Sequence, residues 1–342
     1  MKIIMRFEIE KKILHFKQPA GTSRGVYLTR TMWLIHLSDG DKQGVGECAP
    51  LPDLSCDAMA DEAYTAKLHQ FCEALCQSGT IDYEAMRPYP SMLFGLETAW
   101  LNLQHGELLF DTPFSRGEVG IPINGLVWMG NYDEMLQRME EKLAKGFRCV
   151  KLKIGAIDFD QELDLVKRIR ERFSFHEVQL RLDANGAFPF EDALYKLELL
   201  SQYAIHSIEQ PIKAQQWGFM AQLCRESPLP IALDEELIGV NDPEMKHHML
   251  STIKPAYIVL KPSLHGGMQG CREWIAAADD LGIGHWITSA LESNVGLNAI
   301  AQFTSDVYRS VPVLMPQGLG TGQLFTDNIP MPLEIRGDQL WR

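Results

Sequence analysis

From about residue 120 onward, short apolar runs alternate with longer segments whose apolar residues recur at helical spacing. This is the pattern of βαβ units that build a parallel sheet. Strands are predicted at 121–126, 149–155, 178–185, 206–211, 230–236, 257–263 and 285–291, with a weaker eighth at 311–315. Helices are predicted at 132–145, 159–173, 191–203, 217–225, 268–281 and 296–306. Because each unit takes about 25–30 residues, the pattern favours a (β/α) barrel over an open sheet.

Residues 1–115 show a different pattern, which predicts a mixed α+β unit. Strands are predicted at 1–16, 26–37 and 44–50, and helices at 57–77 and 91–105. Glu97 lies within the second helix, where such an acid is either buried or, more commonly, solvated. The segment from residue 324 to the end contains no further βα unit, so we expect it to fold back onto the first unit.

The composition narrows the class of protein. The chain has 342 residues, of which 46% are hydrophobic and 23% charged, as in ordinary globular proteins. A net charge of −13 argues against nucleic-acid and anionic-membrane partners. No apolar run predicts a membrane span or a signal peptide. Seven cysteines without a CxxC pair argue against zinc and disulfides, so we expect a cytoplasmic protein.

The predicted strand CVKLKIG (149–155) carries two lysines on one face, because successive strand side chains point to opposite sides. Lys151 and Lys153 could simply be solvated at a sheet edge. Two neighbouring ammonium groups, however, disfavour each other's protonation, and a lysine tuned in this way is a candidate general base.

Polar residues stand at or near the C-terminal ends of most predicted barrel strands, where barrel active sites lie. They are Lys151, Lys153, Asp183, Asn185, Glu209, Asp234, Glu235, Lys261 and Ser289. Asp183, Glu209 and Asp234 follow one another at intervals of about one βα unit, so they should converge. Singly, each could cap the next helix. Three convergent carboxylates instead predict a bound cation, with Mg²⁺ favoured and Mn²⁺ as a substitute.

The two outer lysines complete this predicted site. The strand with Lys153 lies on one side of the acid-bearing strands and the strand with Lys261 on the other. A carboxylate substrate bound at the metal would have its α-carbon between them. Enzymes of the enolase superfamily use this chemistry, in which a lysine or histidine removes an α-proton and Mg²⁺ stabilises the resulting dianion.

Several motifs resemble those of the enolase superfamily, muconate-lactonizing-enzyme subgroup, and the resemblance covers nearly the whole chain. They are KLKIG, DANGAF, EQP, LDEE and VLKPSLHGG. The resemblance implies an α+β capping domain at 1–118, with the tail from about 324 to 342 packed on it. It also implies a modified (β/α)₇β barrel at 119–323. SALESNVGLNAIAQF (289–303) and GLGTGQLFTDN (318–328) resemble most the family of o-succinylbenzoate synthases of menaquinone biosynthesis.

The resemblance also implies roles for individual residues. Asp183, Glu209 and Asp234 would hold the metal, while Asn185 and Glu235 would support them. Lys153 would be the base, Lys151 its activating neighbour and Lys261 a cation on the opposite side of the substrate. Arg181 would support Lys153 or the substrate, or merely fill an outer layer of the barrel. Ser289 and the GLGTG glycines, Gly320 among them, would contact a substrate carboxylate. The loops at 18–25 and 49–53 would cover the barrel.

Three functions remain open at this point. The first is a lyase in which Lys153 takes the α-proton and returns it to the departing hydroxide. The second is a dipeptide epimerase or N-acylamino-acid racemase that uses Lys153 and Lys261 as two bases. Dipeptide epimerases usually carry Asp-x-Asp where this chain has MPQGLGTGQLF (315–325), so the dipeptide is disfavoured. The third, a barrel without activity, requires lost ligands or lysines, and none is lost.

Other expectations concern the surroundings of this site. The substrate is expected to be a small carboxylate. The sequence leaves open whether the chain is a monomer or a homo-oligomer. The segment 239–249 is expected to be an insertion on the outer face, without an assigned function.

Overall fold

The computed structural model describes residues 5–22 and 25–342. The chain begins with an antiparallel sheet whose strands are β1 (Arg6–Thr22), β2 (Gly25–Asp39) and β3 (Lys42–Cys48), in that order. Residues 18–22 continue β1, where a loop was predicted. Of the same predicted loop, Gly25 begins β2, while residues 23–24 and the first four residues of the predicted first strand lie outside the described part.

Three helices cover one face of this sheet: α1 (Asp61–Ser78), α2 (Tyr83–Met86) and α3 (Pro90–His105). Alternate residues of β2, among them Trp33, Ile35 and Leu37, form a buried core with α1 and α3. The close contact between β3 and α3 depends on Gly46, because a Cβ there would collide with the backbone carbonyl of Gly95. The first unit is therefore an α+β layer pair.

The larger part of the chain is a curled parallel sheet, preceded by the short strand β4 (Ile121–Pro122). Its seven strands are β5 (Gly125–Val127), β6 (Cys149–Lys153), β7 (Gln179–Asp183), β8 (Ser207–Glu209), β9 (Ile231–Leu233), β10 (Tyr257–Leu260) and β11 (Gly284–Ile287). They pair in chain order. The strand segments predicted from residue 121 to 291 are confirmed, and a large core lies between the sheet and its outer helices.

The outer layer consists of α4 (Tyr132–Ala144), α5 (Phe159–Arg172), α6 (Phe190–Ser201), α7 (Trp217–Glu226), α8 (Pro243–Ile253), α9 (Gly267–Asp280) and α10 (Asn294–Val307). The list of predicted helices is wrong in omitting α8, which takes up most of the segment 239–249; that this segment is an insertion stays a prediction. Asp242 caps this helix by accepting a hydrogen bond from Met245 N, and Pro243 occupies its first turn. Lys246 is buried on its inner face, so a charged residue stands within its apolar stripe.

The predicted eighth strand at 311–315 is also wrong, because that segment is irregular and Val313 is 85% exposed. Two residues further along, Gln317 pairs with Ile123 and Gly318 pairs with Thr288, each in a parallel bridge. These bridges connect the two edges of the seven-stranded sheet. The closing element is therefore much shorter than a strand and lies at 317–318.

The end of the chain contacts both units. Phe325 forms an antiparallel bridge with Phe16 of β1. The last hairpin, β12 (Glu334–Arg336) and β13 (Gln339–Trp341), pairs through β13 with β4 at the start of the barrel. The domain boundaries at 118 and 324 stay a prediction. Within the described residues, no helix is both long and apolar enough to span a bilayer.

Candidate active site

The register of the parallel sheet sets the predicted site residues side by side. Lys153 pairs with Asp183, and Asp183 pairs with Glu209, at the C-terminal ends of β6, β7 and β8. Asp234 directly follows β9, and Lys261 directly follows β10. Side chains from five consecutive strands therefore meet at one end of the barrel, where the sequence placed them.

Each of the three acids is paired with a lysine. Lys151 Nζ donates to Glu209 Oε2 at 2.8 Å and lies 3.4 Å from Asp183 Oδ2. Lys153 Nζ donates to the same Asp183 oxygen at 3.0 Å. On the far side, Lys261 Nζ donates to Asp234 Oδ2 at 2.5 Å. All six side chains are largely buried, so the charges face one another in a region of low dielectric constant.

Two oxygens of these acids are buried without a hydrogen-bond partner, namely Glu209 Oε1 and Asp234 Oδ1. Such atoms are costly unless something else compensates them. Carboxylate oxygens are the ligands of Mg²⁺, so the donor set fits that ion. Among the described residues, no three acid, histidine or cysteine side chains are already gathered into a metal-binding group. Instead, each of Asp183, Glu209 and Asp234 is in contact with a lysine ammonium group.

The electrostatic consequences differ from acid to acid. Burial favours the neutral form of Asp183, but Lys153, Lys151 and Lys261 outweigh it and hold its pKa below the ordinary value. Glu209 has one close lysine and two acidic neighbours, so burial keeps its pKa raised. Burial acts to lower the pKa of Lys151, but the attraction of Glu209 and Asp183 raises it overall. In this state Lys151 is a firmly charged cation.

Asn185 links the base side of the site to Glu235. Its Oδ1 accepts a hydrogen bond from Lys153 Nζ at 2.7 Å, and its Nδ2 donates to Glu235 Oε1 at 2.9 Å. Burial and the neighbouring Asp234 raise the pKa of Glu235 to about 7. Asn185 has a positive φ of 45°, a conformation that asparagine tolerates better than most residues. This chain of contacts fixes the position of the Lys153 ammonium group.

A cavity of about 110 Å³ opens beside these groups. Its polar wall includes Lys151, Lys153, Asp183, Asn185, Glu235 and Lys261. A second wall, called the far wall, is formed after β11 and at the segment that closes the barrel, and it carries hydroxyl and backbone groups from Thr288, Ser289, Gly318, Gly320 and Thr321. Ser289 Oγ lies 2.6 Å from Thr321 Oγ1 and donates to the carbonyl of Gly318 at 3.3 Å. Among the described lining residues, the acids Asp183 and Glu235 both stand on the lysine side.

Three predicted site residues do not line the cavity: Glu209 and Asp234, which contact lysines that do line it, and Arg181. Arg181 is buried below the lysine layer, with its guanidinium 4.2 Å from the ring centre of Trp286. One of its nitrogens donates to the carbonyl of Pro316 at 2.9 Å, close to the segment that closes the barrel. This position favours the interpretation of Arg181 as a residue that fills a layer of the barrel over direct support of Lys153.

Sequence reasoning missed the apolar lining of the cavity. Leu51 and Leu54 come from the first unit and Trp128 from the loop after β5. The ring centre of Trp128 lies 5.9 Å from Lys153 Nζ. These residues look like ordinary core positions in the sequence. The expected lid at 49–53 gave the one hint, since Leu51 lies within it.

Comparison with known proteins agrees with this geometry. The family model described as "Enolase C-terminal domain-like" matches residues 134–338, and that described as "MenC, N-terminal domain" matches residues 23–103. An o-succinylbenzoate synthase of Desulfotalea psychrophila is 44% identical over 98% of both chains. The enzyme of the same name from Haemophilus influenzae is 28% identical over 83% of this chain and 82% of its own.

The chain belongs to the o-succinylbenzoate synthase family of the enolase superfamily. The crystal structure of MenC from D. psychrophila aligns with a TM-score of 0.83 at 41% identity, covering 99% of each chain. The family resemblance and the barrel-type fold expected from the motifs are thereby confirmed. An L-Ala-D/L-Glu epimerase from Bacillus subtilis aligns equally well, with a TM-score of 0.83 over 100% and 96% of the chains. At 21% identity it shows the shared fold alone.

Proposed function

We propose that this chain dehydrates 2-succinyl-6-hydroxy-2,4-cyclohexadiene-1-carboxylate to 2-succinylbenzoate in menaquinone biosynthesis, as a hydro-lyase. The observation that carries the proposal is the cavity, with lysines and acids on one wall and hydroxyl and backbone groups on the other. A dicarboxylate substrate has one carboxylate for each wall. The names of its relatives from D. psychrophila and H. influenzae support the same reaction.

In this proposal Asp183, Glu209 and Asp234 hold Mg²⁺, with Mn²⁺ as a substitute. Support comes from the partnerless Glu209 Oε1 and Asp234 Oδ1 and from the all-oxygen donor set. When bound, the ion would stabilise the negative charge that develops on the substrate carboxylate. Asn185 and Glu235 would support the lysine side of the site through their mutual hydrogen bond.

Lys153 would act first as the general base and then as the general acid. Its neutral amine takes the proton from C1, and the C–H electron pair forms the new ring double bond as the C6–OH bond breaks. The same ammonium group then gives the proton to the departing hydroxide, so water leaves from the face on which the proton was taken. Lys151 and Lys153 contact the same oxygen of Asp183, so the two ammonium groups lie close to each other.

Lys261 would act as a fixed cation on the other side of the substrate. Its ion pair with Asp234 supports this role, because burial favours the neutral amine but Asp234 and Glu235 raise the pKa of Lys261. Ser289 and Gly320 would contact the succinyl carboxylate from the far wall. The free state of the seven cysteines supports a reducing compartment, and so a cytoplasmic enzyme.

The rival function is racemisation or epimerisation with Lys153 and Lys261 as two bases. The discriminating experiment compares turnover of the dehydration substrate with a panel of dipeptides and N-acylamino acids in D₂O. We expect dehydration to dominate, because the described residues of the far wall include no carboxylate for an ammonium group. Efficient inversion with deuterium incorporation, alongside poor dehydration, would favour the isomerase instead.

A further inference from the structure

Arg30 is a buried arginine of the first unit that reaches the loops of the active site. It lies on β2 and is 3% exposed. Its guanidinium donates to four backbone carbonyls, two from each of two separate segments. Ala49 and Pro50 follow β3 in the first unit, and Ala290 and Leu291 follow β11 in the barrel. The guanidinium fork suits this task because its N–H groups diverge in one plane.

Both segments line the cavity directly. Leu51 comes from the first segment, and Ala290 and Leu291 come from the second, just after Ser289. Arg30 itself is not among the lining residues. Its influence on a substrate must therefore pass through the backbone of these two loops.

Leu291 gives the second, independent observation. Its φ is +65°, in the left-handed region that residues with a Cβ rarely adopt. Such a conformation persists only where surrounding contacts enforce it, and it is concentrated at functional sites. Here Arg30 Nε donates to the Leu291 carbonyl at 3.1 Å. On the other side of the same turn, Ala290 N donates to Glu292 Oε2 at 2.6 Å.

The charge of Arg30 is balanced without a direct ion pair. Its nearest opposing charges are Glu292 and Glu47, which are both fully buried. Glu292 also accepts a hydrogen bond from Ser263 Oγ at 2.5 Å, close to the end of β10. The guanidinium is thus free to use its donors on backbone carbonyls.

We infer that Arg30 is a positioning residue that sets the shape of the substrate cavity, holding Leu291 in its left-handed conformation and joining the 49–51 loop to it. This inference rests on the proposed function for its kinetic readout. It predicts that substrate binding depends on a residue outside the barrel that touches neither the substrate nor the acids.

The test compares Arg30→Met with a matched control, Arg170→Met. Arg170 also donates to three backbone carbonyls, those of Tyr203, Val178 and Ala204 at 2.7 to 3.0 Å, but at the opposite end of the barrel strands. We expect Arg30→Met to raise KM for dehydration about tenfold or more, with a smaller effect on kcat. Arg170→Met should lower the melting temperature without changing KM. Arg30→Lys serves where Arg30→Met does not fold, since it keeps the charge but loses the fork.

Two substitutions of Leu291 separate strain from simple packing. Both Leu291→Ala and Leu291→Gly remove the side chain from the cavity, but only glycine accepts the positive φ freely. The rise in KM caused by Arg30→Met should therefore be larger in the Leu291→Ala background than in the Leu291→Gly background. Equal rises in both would overturn the role of Leu291.

Hydrogen exchange keeps this inference separable from the proposed reaction. Arg30→Met should speed amide exchange in peptides covering 49–56 and 288–294, and Arg170→Met should not. If the wild-type protein does not dehydrate the substrate, the proposed function fails while the exchange result still decides the role of Arg30. Unchanged exchange and unchanged KM in Arg30→Met would overturn the inference.

Discussion

Two groups of buried acids in this molecule differ in how their oxygens are satisfied. The first group joins the two units. Glu47 of β3 accepts hydrogen bonds from Ser293 N at 2.8 Å, Ser293 Oγ at 2.5 Å and Gly296 N at 2.7 Å, at the start of α10. Glu97 of α3 accepts from the first backbone N–H groups of α9 at 2.6 and 2.9 Å. In both cases the unpaired donors of a helix N-terminus meet a carboxylate.

The second group lies at the barrel mouth, and its oxygens are only half satisfied. Glu209 and Asp234 each use one oxygen for a lysine and leave the other buried without a partner. Asp57 of the first unit also leaves one buried oxygen without a partner, so the distinguishing feature of Glu209 and Asp234 is a partnerless oxygen in an acid that also contacts a lysine of the cavity. The contrast separates structural acids from acids arranged for a ligand, and it can be tested at each group in turn.

The largest effect should come from Lys153, which contacts Asp183 and lines the cavity. Lys153→Ala should lower kcat for dehydration by at least about 10²–10⁴-fold, because the proton transfer loses its positioned base. The control is Lys246→Met, since Lys246 is a buried lysine that donates to Glu273 at 2.6 Å and is not among the residues that line the cavity. It should cost stability but not turnover per folded molecule. Near wild-type turnover in Lys153→Ala, with an inactive Lys261→Ala, would show that the base is Lys261 and would contradict the assignment of Lys153.

Removal of divalent cations should affect the function of the acids at the barrel mouth and leave the acids between the two units unaffected. EDTA should abolish dehydration, and Mg²⁺ or Mn²⁺ should restore it. Because metal binding to the folded state stabilises it, Mg²⁺ should also raise the melting temperature of the wild-type protein. That increase should disappear in Glu209→Gln and persist in Glu47→Gln. Full activity after exhaustive chelation would refute the metal assignment.

The two groups should respond oppositely to the same isosteric change in metal-free protein. Glu209→Gln can keep its oxygen toward Lys151 and turn its amide to the partnerless side, while relieving repulsion from Asp183 and Asp234. Its free energy of unfolding should therefore stay the same or rise. Glu47→Gln must point an NH₂ group at donors, which should cost about 1–3 kcal/mol. Denaturant unfolding in EDTA measures both, and equal losses would remove the distinction.

The sequence could predict the lysines and acids at the barrel mouth, because the signals for them are local and recur from one βα unit to the next. Strand alternation places Lys151 and Lys153 on one face, and one βα unit separates each acid from the next. α8 was missed because Lys246 breaks its apolar stripe although that side chain is buried. The closing segment was misplaced because the valines at 311 and 313 look like a strand but lie exposed.

The contact between the two units could not be predicted in the same way, because its hydrogen bonds connect residues that are far apart in the chain. Glu47 meets residues nearly 250 positions away, and Arg30 meets Leu291 over a similar distance. Neither carries a motif. Within its helix pattern, Glu97 is indistinguishable from the more common solvated glutamate. Its burial depends on the tertiary contact with α9, which no pattern within α3 encodes.

The smallest effect concerns the pH dependence of stability, through Glu97 at the contact between the two units. Burial raises the pKa of Glu97 to about 8, although hydrogen bonds from Gln269 N and Met268 N favour its charged form. In the unfolded chain a glutamate titrates near about 4.3, so between these values the folded state binds a proton that the unfolded state has released. Stability should therefore fall as pH rises from about 4.3 to about 8, by at most about 1.4 kcal/mol per pH unit. Glu97→Gln should flatten this slope whatever its effect on absolute stability, while Glu62→Gln, at an exposed position of α1, should leave it unchanged. An undiminished slope in Glu97→Gln would mean that the acid is already charged at the helix N-terminus across this range, in which case α9 satisfies its carboxylate more fully than burial opposes it.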